Sequence, residues 1–144
     1  MNIFTYGSLM FDQVWSKVVN GTYTKTRARL FCFQRRRLNG ETYPALIPGS
    51  RDDYVDGIAY FNIDPTDSKR LDQFEGNYYA KKLVTCILPN RRLVSAHVYV
   101  FKQEYIALVD EESWNPEWFE SIGIHSFMAA YGGYDWIEST RSKK

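Results

Sequence analysis

Cysteine, histidine and net charge are scarce in this sequence. Its 144 residues include two cysteines and two histidines, and 18 basic against 17 acidic residues leave a formal charge of +1. Two cysteines are too few for a disulfide scaffold, and Cys32 and Cys86 both lie in apolar, strand-like runs where small buried thiols are typical. Neither cysteine has metal-ligand spacing to His97 or His125, so we predict no metal.

Long apolar runs are absent too. No segment approaches the length of a membrane-spanning helix, and residues 1–10 lack the basic and apolar regions of a signal peptide. A charge near zero gives no field to attract nucleic acid or anionic lipid. Arg35, Arg36 and Arg37 form a basic run, but successive strand residues cannot share a face, so we interpret it as a solvated strand end. We expect a soluble, cytoplasmic protein that binds neither nucleic acid nor membrane.

Aromatic residues are abundant, with 11 Tyr, 9 Phe and 4 Trp making up 17% of the chain. Tyrosine and tryptophan combine an apolar body with a polar tip, so such a chain builds pockets with polar walls as well as a β-rich core. Trp114, Trp118 and Trp136 can form an interface, although such residues more often pack a terminal helix onto its own domain. A homodimer is therefore left open.

The order of elements predicts one α+β domain, a small mixed β-barrel-like sheet with peripheral helices, over residues 1–137 and a polar tail over 138–144. Residues 42–50 read as an irregular segment containing two prolines, and Gly57 as a bulge or close backbone approach. The predicted strands are 2–5, 28–38, 54–63 and a hairpin around 89–92; the predicted helices include 11–19, one from Asp64 to a left-handed cap at Gly76, and one from Asn115 to Gly132 and Gly133.

The first candidate site is the turn Tyr6-Gly7-Ser8-Leu9, where a strand runs directly into a helix. The first N–H groups of a helix lack partners, and together with the helix dipole they form an anion site. Ser8 can act as an N-cap or donate to a ligand, and a purely structural cap is the alternative. Phosphate-loop and nucleophile-elbow patterns are absent, and two histidines give little support for a catalytic triad.

The second candidate is Glu75, in the last turn of its predicted helix, directly before Gly76. Unpaired carbonyl groups make the potential there negative, which disfavours an ionised carboxylate. Shielding by aromatic neighbours would raise its pKa further, toward the range of general acid–base catalysis. The alternative is a surface glutamate. Asp72, one turn earlier and near Lys69 and Arg70, is interpreted as part of a solvated face.

Three segments in order carry a resemblance to a known family: YGSL after the first strand, VDGIAY in a middle strand, and LDQFEGNYYAKKLVTC. Together they resemble the γ-glutamylcyclotransferase superfamily, including its γ-glutamylamine cyclotransferase-like members. The resemblance extends over residues 1–101 and is weaker in WNPEWFESIGIHSF. It implies a small β-barrel-like α+β fold with a central cavity.

The resemblance also implies the roles of single residues. Glu75 would be the acid–base residue, and Tyr79 would be the pocket tyrosine, although Tyr78 beside it leaves the register open. Where the family often has arginine, this chain has Lys81, which lacks the planar fork. The implied substrate-binding residues are Tyr6, Gly7, Ser8, Leu9, Tyr79 and Tyr99.

The implied chemistry needs neither metal nor cofactor. A γ-glutamyl amide carries its own nucleophile, the α-amine, which closes a five-membered ring on the side-chain carbonyl and releases 5-oxoproline and a free amine. Holding the cyclising conformer can contribute roughly 7 kcal/mol, and one carboxylate can move both protons. Another acyl or amide transfer, and a non-catalytic ligand-binding or interaction domain, are the alternatives. The leaving amine of the γ-glutamyl substrate is not identified.

Overall fold

The structure is a computed structural model that describes residues 1–130. Within that range, eight strands and several short helices follow one another. The strands are β1 (Ile3–Thr5), β2 (Lys25–Phe31), β3 (Phe33–Leu38), β4 (Pro44–Pro48), β5 (Tyr54–Tyr60), β6 (Tyr79–Ile87), β7 (Leu93–Phe101) and β8 (Val109–Ser113). The α-helices are α1 (Asp12–Val18), α2 (Pro65–Glu75), α3 (Pro116–Trp118) and α4 (Ile124–Ala130), and 3₁₀ turns occupy Ser8–Met10 and Gln103–Leu108.

Five strands close into a barrel in the order β1-β5-β2-β6-β7. The pairs are antiparallel except at the closure, where β1 lies parallel to β7 and Ile3 pairs with His97. The predicted hairpin around 89–92 is β6–β7, the longest pairing of the barrel. The α+β prediction with a mixed barrel-like sheet is confirmed.

The prediction of a single strand over residues 28–38 is wrong. These residues belong to two strands, β2 and β3, which lie in different sheets. Cys32 separates β2 from β3 with a φ of 74°, and its N–H and C=O bond to Asp53 and Gly49 at 2.8 Å each. The chain thereby leaves the barrel and enters a three-stranded antiparallel sheet of order β4-β3-β8. Cys32 is exposed, which contradicts its predicted burial, whereas Cys86 is buried as predicted.

The prediction of an irregular segment over residues 42–50 is also wrong, since Pro44–Pro48 forms strand β4. Both prolines sit at the ends of this strand, which lies at the edge of its sheet. An edge strand tolerates residues that have no N–H to donate, so the prolines do not prevent pairing with β3.

Helix α2 begins and ends where the sequence predicts. The Asp64 side chain accepts a hydrogen bond from the Asp67 N–H at 2.7 Å, Pro65 occupies the first turn, and the helix ends at Glu75. Gly76 has the expected positive φ of 75°, but its ψ of −161° is not that of a left-handed cap. The chain therefore leaves the helix extended and turns directly toward β6.

Three packed regions form the interior. One fills the barrel, with Phe4, Leu30 and Val98 among its buried side chains, a second joins the barrel to the helices, and a third joins the three-stranded sheet to β7. In the second region the Trp15 ring stacks on Tyr60 at 3.6 Å between centroids. The close approach predicted at Gly57 is confirmed, because a Cβ there would lie 2.1 Å from the Thr5 carbonyl oxygen.

The helical region after β8 opens as predicted, with the Asn115 side chain accepting from the N–H groups of Glu117 and Trp118. A π-helical turn, Phe119–Gly123, lies between α3 and α4. Trp114 is buried and donates to the Thr42 carbonyl at 2.7 Å, so it is no interface residue. The predicted helix end at Gly132 and Gly133, Trp136 and the tail 138–144 lie outside the described residues. No helix within residues 1–130 has the length and apolar character needed to cross a membrane.

Candidate active site

A cavity of about 370 Å³ lies beside the N-terminal turn, between the barrel, the end of α2 and helix α4. Its volume is in the range of small-molecule sites. All seven residues predicted from the sequence line this cavity: Tyr6, Gly7, Ser8, Leu9, Glu75, Tyr79 and Tyr99. The structure therefore brings together residues that are up to 93 positions apart in the chain.

The turn at residues 6–9 leads from β1 into the 3₁₀ turn Ser8–Met10. Gly7 has φ −127°, so backbone conformation does not require glycine there; space does, because a Cβ would lie 2.8 Å from the Pro44 ring. The N-cap is Gly7, and Ser8 makes no capping bond, which corrects the predicted N-cap role of Ser8. Within residues 1–130, the N–H groups of Gly7 and Ser8 have no protein acceptor. Such donors beside a cavity suit an anionic group.

Glu75 is the last residue of α2 and is partly buried against the cavity. Burial raises its pKa to about 8, and the neighbouring charge of Asp72 acts in the same direction. No hydrogen-bond donor from the part of the chain that the structure describes reaches its carboxyl group. Because its pKa lies close to neutral pH, this carboxyl group exists in both protonation states and can exchange protons with a bound molecule.

Tyr78 and Tyr79 both line the cavity, and Tyr79 is the more buried of the two. Tyr79 is partly buried and donates to the Pro44 carbonyl at 2.8 Å, whereas Tyr78 is 47% exposed and stacks on Phe101 at the cavity rim. Burial raises the pKa of Tyr79, and the proximity of Glu75 raises it further. The Tyr79 hydroxyl is therefore a hydrogen-bonding group and not a base.

Tyr6 and Tyr99 form a buried chain beside the cavity. The Tyr6 hydroxyl donates to the Tyr99 carbonyl at 2.5 Å, and the Tyr99 hydroxyl donates to Asp72 Oδ1 at 2.6 Å. Burial, followed by the hydrogen bond with Asp72, raises the pKa of Tyr99. Asp72 is half-exposed, but its carboxylate accepts a hydrogen bond from Tyr99 in the cavity wall. The prediction that Asp72 belongs only to a solvated face is therefore corrected.

Lys81, which stands where the family often has arginine, does not line the cavity. Its Nζ donates to Asp72 Oδ1 at 3.0 Å and to Ser68 Oγ at 3.3 Å. An ion pair between Lys81 and Glu75, which would give Glu75 a structural role, is therefore not formed. Lys81 reaches the site only through Asp72.

Arg35 contacts the turn at residues 6–9, which the sequence did not predict. Its Nη1 donates to the Tyr6 carbonyl at 2.9 Å and to the Asp56 carbonyl at 3.2 Å, and its guanidinium lies over the Trp114 ring. The interpretation of Arg35 as part of a solvated strand end is wrong for this residue. The alternation along β3 places Arg35 and Arg36 on opposite faces, which is the one sequence signal that separates them.

Three further aromatic side chains, Tyr43, Phe74 and Phe127, also line the cavity wall. The Phe127 ring contacts Tyr43 and Phe74 at centroid distances of 6.4 and 6.1 Å. Burial and the nearby charge of Glu41 raise the pKa of Tyr43 to about 12. These side chains make the outer part of the cavity apolar, while residues 6–9 and Glu75 supply its polar groups.

A closed mixed barrel of this kind occurs in solved structures. The chain superposes on a solution structure from Arabidopsis thaliana with TM-score 0.68 and 26% identity, covering 90% of this chain and 86% of that one. A γ-glutamyl cyclotransferase gives TM-score 0.60 at 16% identity, over 71% of this chain and 66% of that chain. A yeast γ-glutamyl cyclotransferase specific to glutathione gives 0.61 at 18%, over 78% and 73%. At the identities of these two enzymes, the likeness shows the fold alone.

The sequence profile of the family "Gamma-glutamyl cyclotransferase, AIG2-like" matches residues 3–116, and the chain belongs to this family. AIG2-like protein D of Arabidopsis thaliana is 36% identical over 87 residues, 60% of this chain and 57% of that protein. AIG2-like protein C is 31% identical over 104 residues, 72% of this chain and 60% of that protein. The chain thus spans less than two thirds of the length of these curated relatives. The predicted resemblance is confirmed.

Proposed function

We propose that this protein is a γ-glutamyl cyclotransferase, which converts a γ-glutamyl amine into 5-oxoproline and the free amine. The observation that supports the proposal most is Glu75. Its carboxyl group, with a pKa raised to about 8, lines the same cavity as the unpaired N–H groups of the turn at residues 6–9. A structural carboxylate would be paired, whereas a proton-transfer group needs a pKa near working pH.

In the proposed reaction the substrate supplies its own nucleophile. The α-amine forms a bond to the γ-carbonyl carbon, and the bond from that carbon to the leaving amine then breaks, with no change in oxidation state. Glu75 as carboxylate takes a proton from the α-ammonium group and, once protonated, gives it to the departing nitrogen. The ring nitrogen loses its second proton to the released amine, which leaves as an ammonium ion. The enzyme's main contribution is to hold the substrate with its amine against its own carbonyl.

The turn at residues 6–9 binds the negative charge in this scheme. The N–H groups of Gly7 and Ser8 point donors at the glutamyl carboxylate or at the oxyanion that develops on the γ-carbonyl. The hydroxyl groups of Tyr6, Tyr79 and Tyr99 are engaged by protein acceptors and shape the wall around that position. We propose Tyr6, Gly7, Ser8, Leu9, Tyr79 and Tyr99 as the substrate-binding set.

A panel of γ-glutamyl amines, peptides and amino acids tests the proposal, with 5-oxoproline measured by mass spectrometry. We expect turnover of at least one member and a 10²- to 10⁴-fold loss of kcat in Glu75→Gln, which keeps the shape and removes the proton-transfer group. Glu104→Gln, the same substitution at an exposed position, is the matched control and should keep wild-type kcat.

Two results would contradict the proposal in different ways. A wild-type rate in Glu75→Gln removes Glu75 from the mechanism and favours another amide or acyl transfer. Binding of panel members without any 5-oxoproline favours a non-catalytic ligand-binding domain that retains the cavity.

A further inference from the structure

We propose that Arg35 is a positioning residue, which turns the N–H of Gly7 into the active-site cavity by holding the carbonyl of the same peptide from behind. The inference rests on the proposed function, since it assigns a use to that N–H. It adds a residue from a different sheet, outside the motifs that mark the site.

Arg35 is held at a fixed place between the two sheets. It projects from β3 of the three-stranded sheet to the barrel, where one nitrogen, Nη1, donates to the carbonyls of both Tyr6 and Asp56. Its guanidinium carbon lies 5.4 Å from the centroid of the Trp114 ring, and Trp114 is itself buried. Two acceptors and an aromatic face together leave the guanidinium group little freedom to move.

The planarity of the peptide converts this contact into an orientation. The Tyr6 carbonyl and the Gly7 N–H belong to one trans peptide, so they point in opposite directions. Arg35 lines a separate polar cavity of about 430 Å³, and Tyr6 and Gly7 line the candidate active-site cavity of about 370 Å³. Fixing the carbonyl toward Arg35 therefore directs the Gly7 N–H away from it, toward the active-site cavity.

The charge on Arg35 adds to the effect of geometry. A charge-assisted hydrogen bond to a carbonyl polarises the whole peptide, which makes its N–H a stronger donor. Burial lowers the pKa of Arg35, yet arginine keeps its proton in proteins, so the contact persists across the working pH range. A neutral side chain of the same length would hold the sheets together without this polarisation.

The test measures both catalysis and the state of the peptide bond between Tyr6 and Gly7. Arg35→Met keeps most of the volume and removes the donor, Arg35→Lys restores a charged donor without the fork, and Arg37→Met is the matched control. Arg37 lies two positions along β3 and pairs with Glu112 at the surface. For each variant we would measure kcat and KM with a substrate from the panel, and the ¹H–¹⁵N resonance of Gly7.

We expect kcat/KM of Arg35→Met to fall 10- to 1000-fold at temperatures where the variant is folded, with the Gly7 amide proton shifted upfield. Arg35→Lys should recover part of the lost kcat/KM and part of the shift of the Gly7 amide proton. Arg37→Met should have the kcat/KM and the Gly7 resonance of the wild type. If Arg35 only stabilised the packing of the two sheets, Arg35→Met would have a lower melting temperature, but the Gly7 resonance of the folded protein would not move.

The inference is overturned if folded Arg35→Met, or the uncharged Arg35→Gln where the methionine variant does not fold, keeps kcat/KM and the Gly7 resonance of the wild type. This result differs from failure of the proposed function. If the wild type makes no 5-oxoproline from any panel member, the proposed function fails, and the Gly7 resonance still shows whether Arg35 controls this peptide.

Discussion

Helix α2 carries one carboxylate near each end, Asp67 buried and Glu75 partly buried, and the pKa values of the two are shifted in opposite directions. Asp67, in the first turn, is 1% exposed, and its pKa is held below its ordinary value although burial alone would raise it. Glu75, in the last turn, has its pKa raised to about 8. The donors to Asp67 are the N–H groups of Asn20 and Gly21, the Tyr23 hydroxyl and the Arg70 guanidinium.

The difference in pKa follows their hydrogen bonds, since Asp67, the more buried of the two, is the one whose pKa is lowered. Burial disfavours the charge of both carboxylates, but four donors compensate the charge of Asp67. Glu75 faces a cavity and receives no donor from residues 1–130. A buried carboxylate is therefore structural where its oxygens are occupied by the protein, and becomes a candidate for catalysis where they are left to a ligand.

The largest expected effect on stability is at Asp67. Asp67→Asn leaves several donors without an ionic acceptor, so we expect the free energy of unfolding to fall by about 3 kcal/mol, measured by urea denaturation. Asp52→Asn, at an exposed position, should stay within about 0.5 kcal/mol of the wild type. Equal stability of Asp67→Asn and the wild type would show that the donors find other partners and that the comparison is wrong.

The dependence of stability on pH should separate the two residues by sign. Glu75 titrates at about 8 in the native state and near 4.5 in the unfolded state, so the native state binds more protons between these values. Stability of the wild type relative to Glu75→Gln should therefore fall as pH rises from about 4.5 to about 8.

Asp67 should act in the opposite direction. Its pKa is depressed in the native state, so its contribution is complete above the unfolded pKa of about 4 and is lost as pH falls through the lower native value. Urea denaturation of the wild type, Glu75→Gln and Asp67→Asn across pH 3 to 9 checks both signs. A pH profile of Glu75→Gln parallel to that of the wild type would mean that the pKa of Glu75 is ordinary.

The smallest expected effect is at Gly76, which sets how the chain leaves the Glu75 end of the helix. Its φ of 75° and ψ of −161° lie in a region that only glycine adopts readily, while no atom within 4 Å would obstruct a methyl group. Gly76→Ala should therefore lose about 1 to 2 kcal/mol through backbone strain alone, measured by thermal or urea denaturation. The neighbouring exposed Asn77→Ala is the control, and equal losses in both would argue against strain at Gly76.

Much of the fold was predictable because its signals are local. The capped start of α2 at Asp64, its end before Gly76 and the hairpin around 89–92 each depend on residues a few positions apart. The position of Glu75 at a helix end, beside aromatic residues, was predictable in the same way. These features need no knowledge of the rest of the chain.

The errors concern partners that are distant in the sequence. The apolar pattern continues through Cys32, so only pairing with two different sheets reveals the break there. Pro44 and Pro48 look like strand breakers until the edge of the second sheet is known. Arg35 is distinguished from Arg36 and Arg37 by its contacts with Tyr6, Asp56 and Trp114, all of them distant in the sequence.

Closure of the barrel through β1 has a consequence for when the site comes into existence. The three residues of β1 lie between β5 and β7, so their final place is defined only after the chain has been made as far as Phe101. We expect the turn that follows β1 to reach its final position late, although it is encoded first. A chain that stops before β7 can bury apolar side chains, but its barrel is not closed and its cavity is incomplete. We expect such a chain to have no activity.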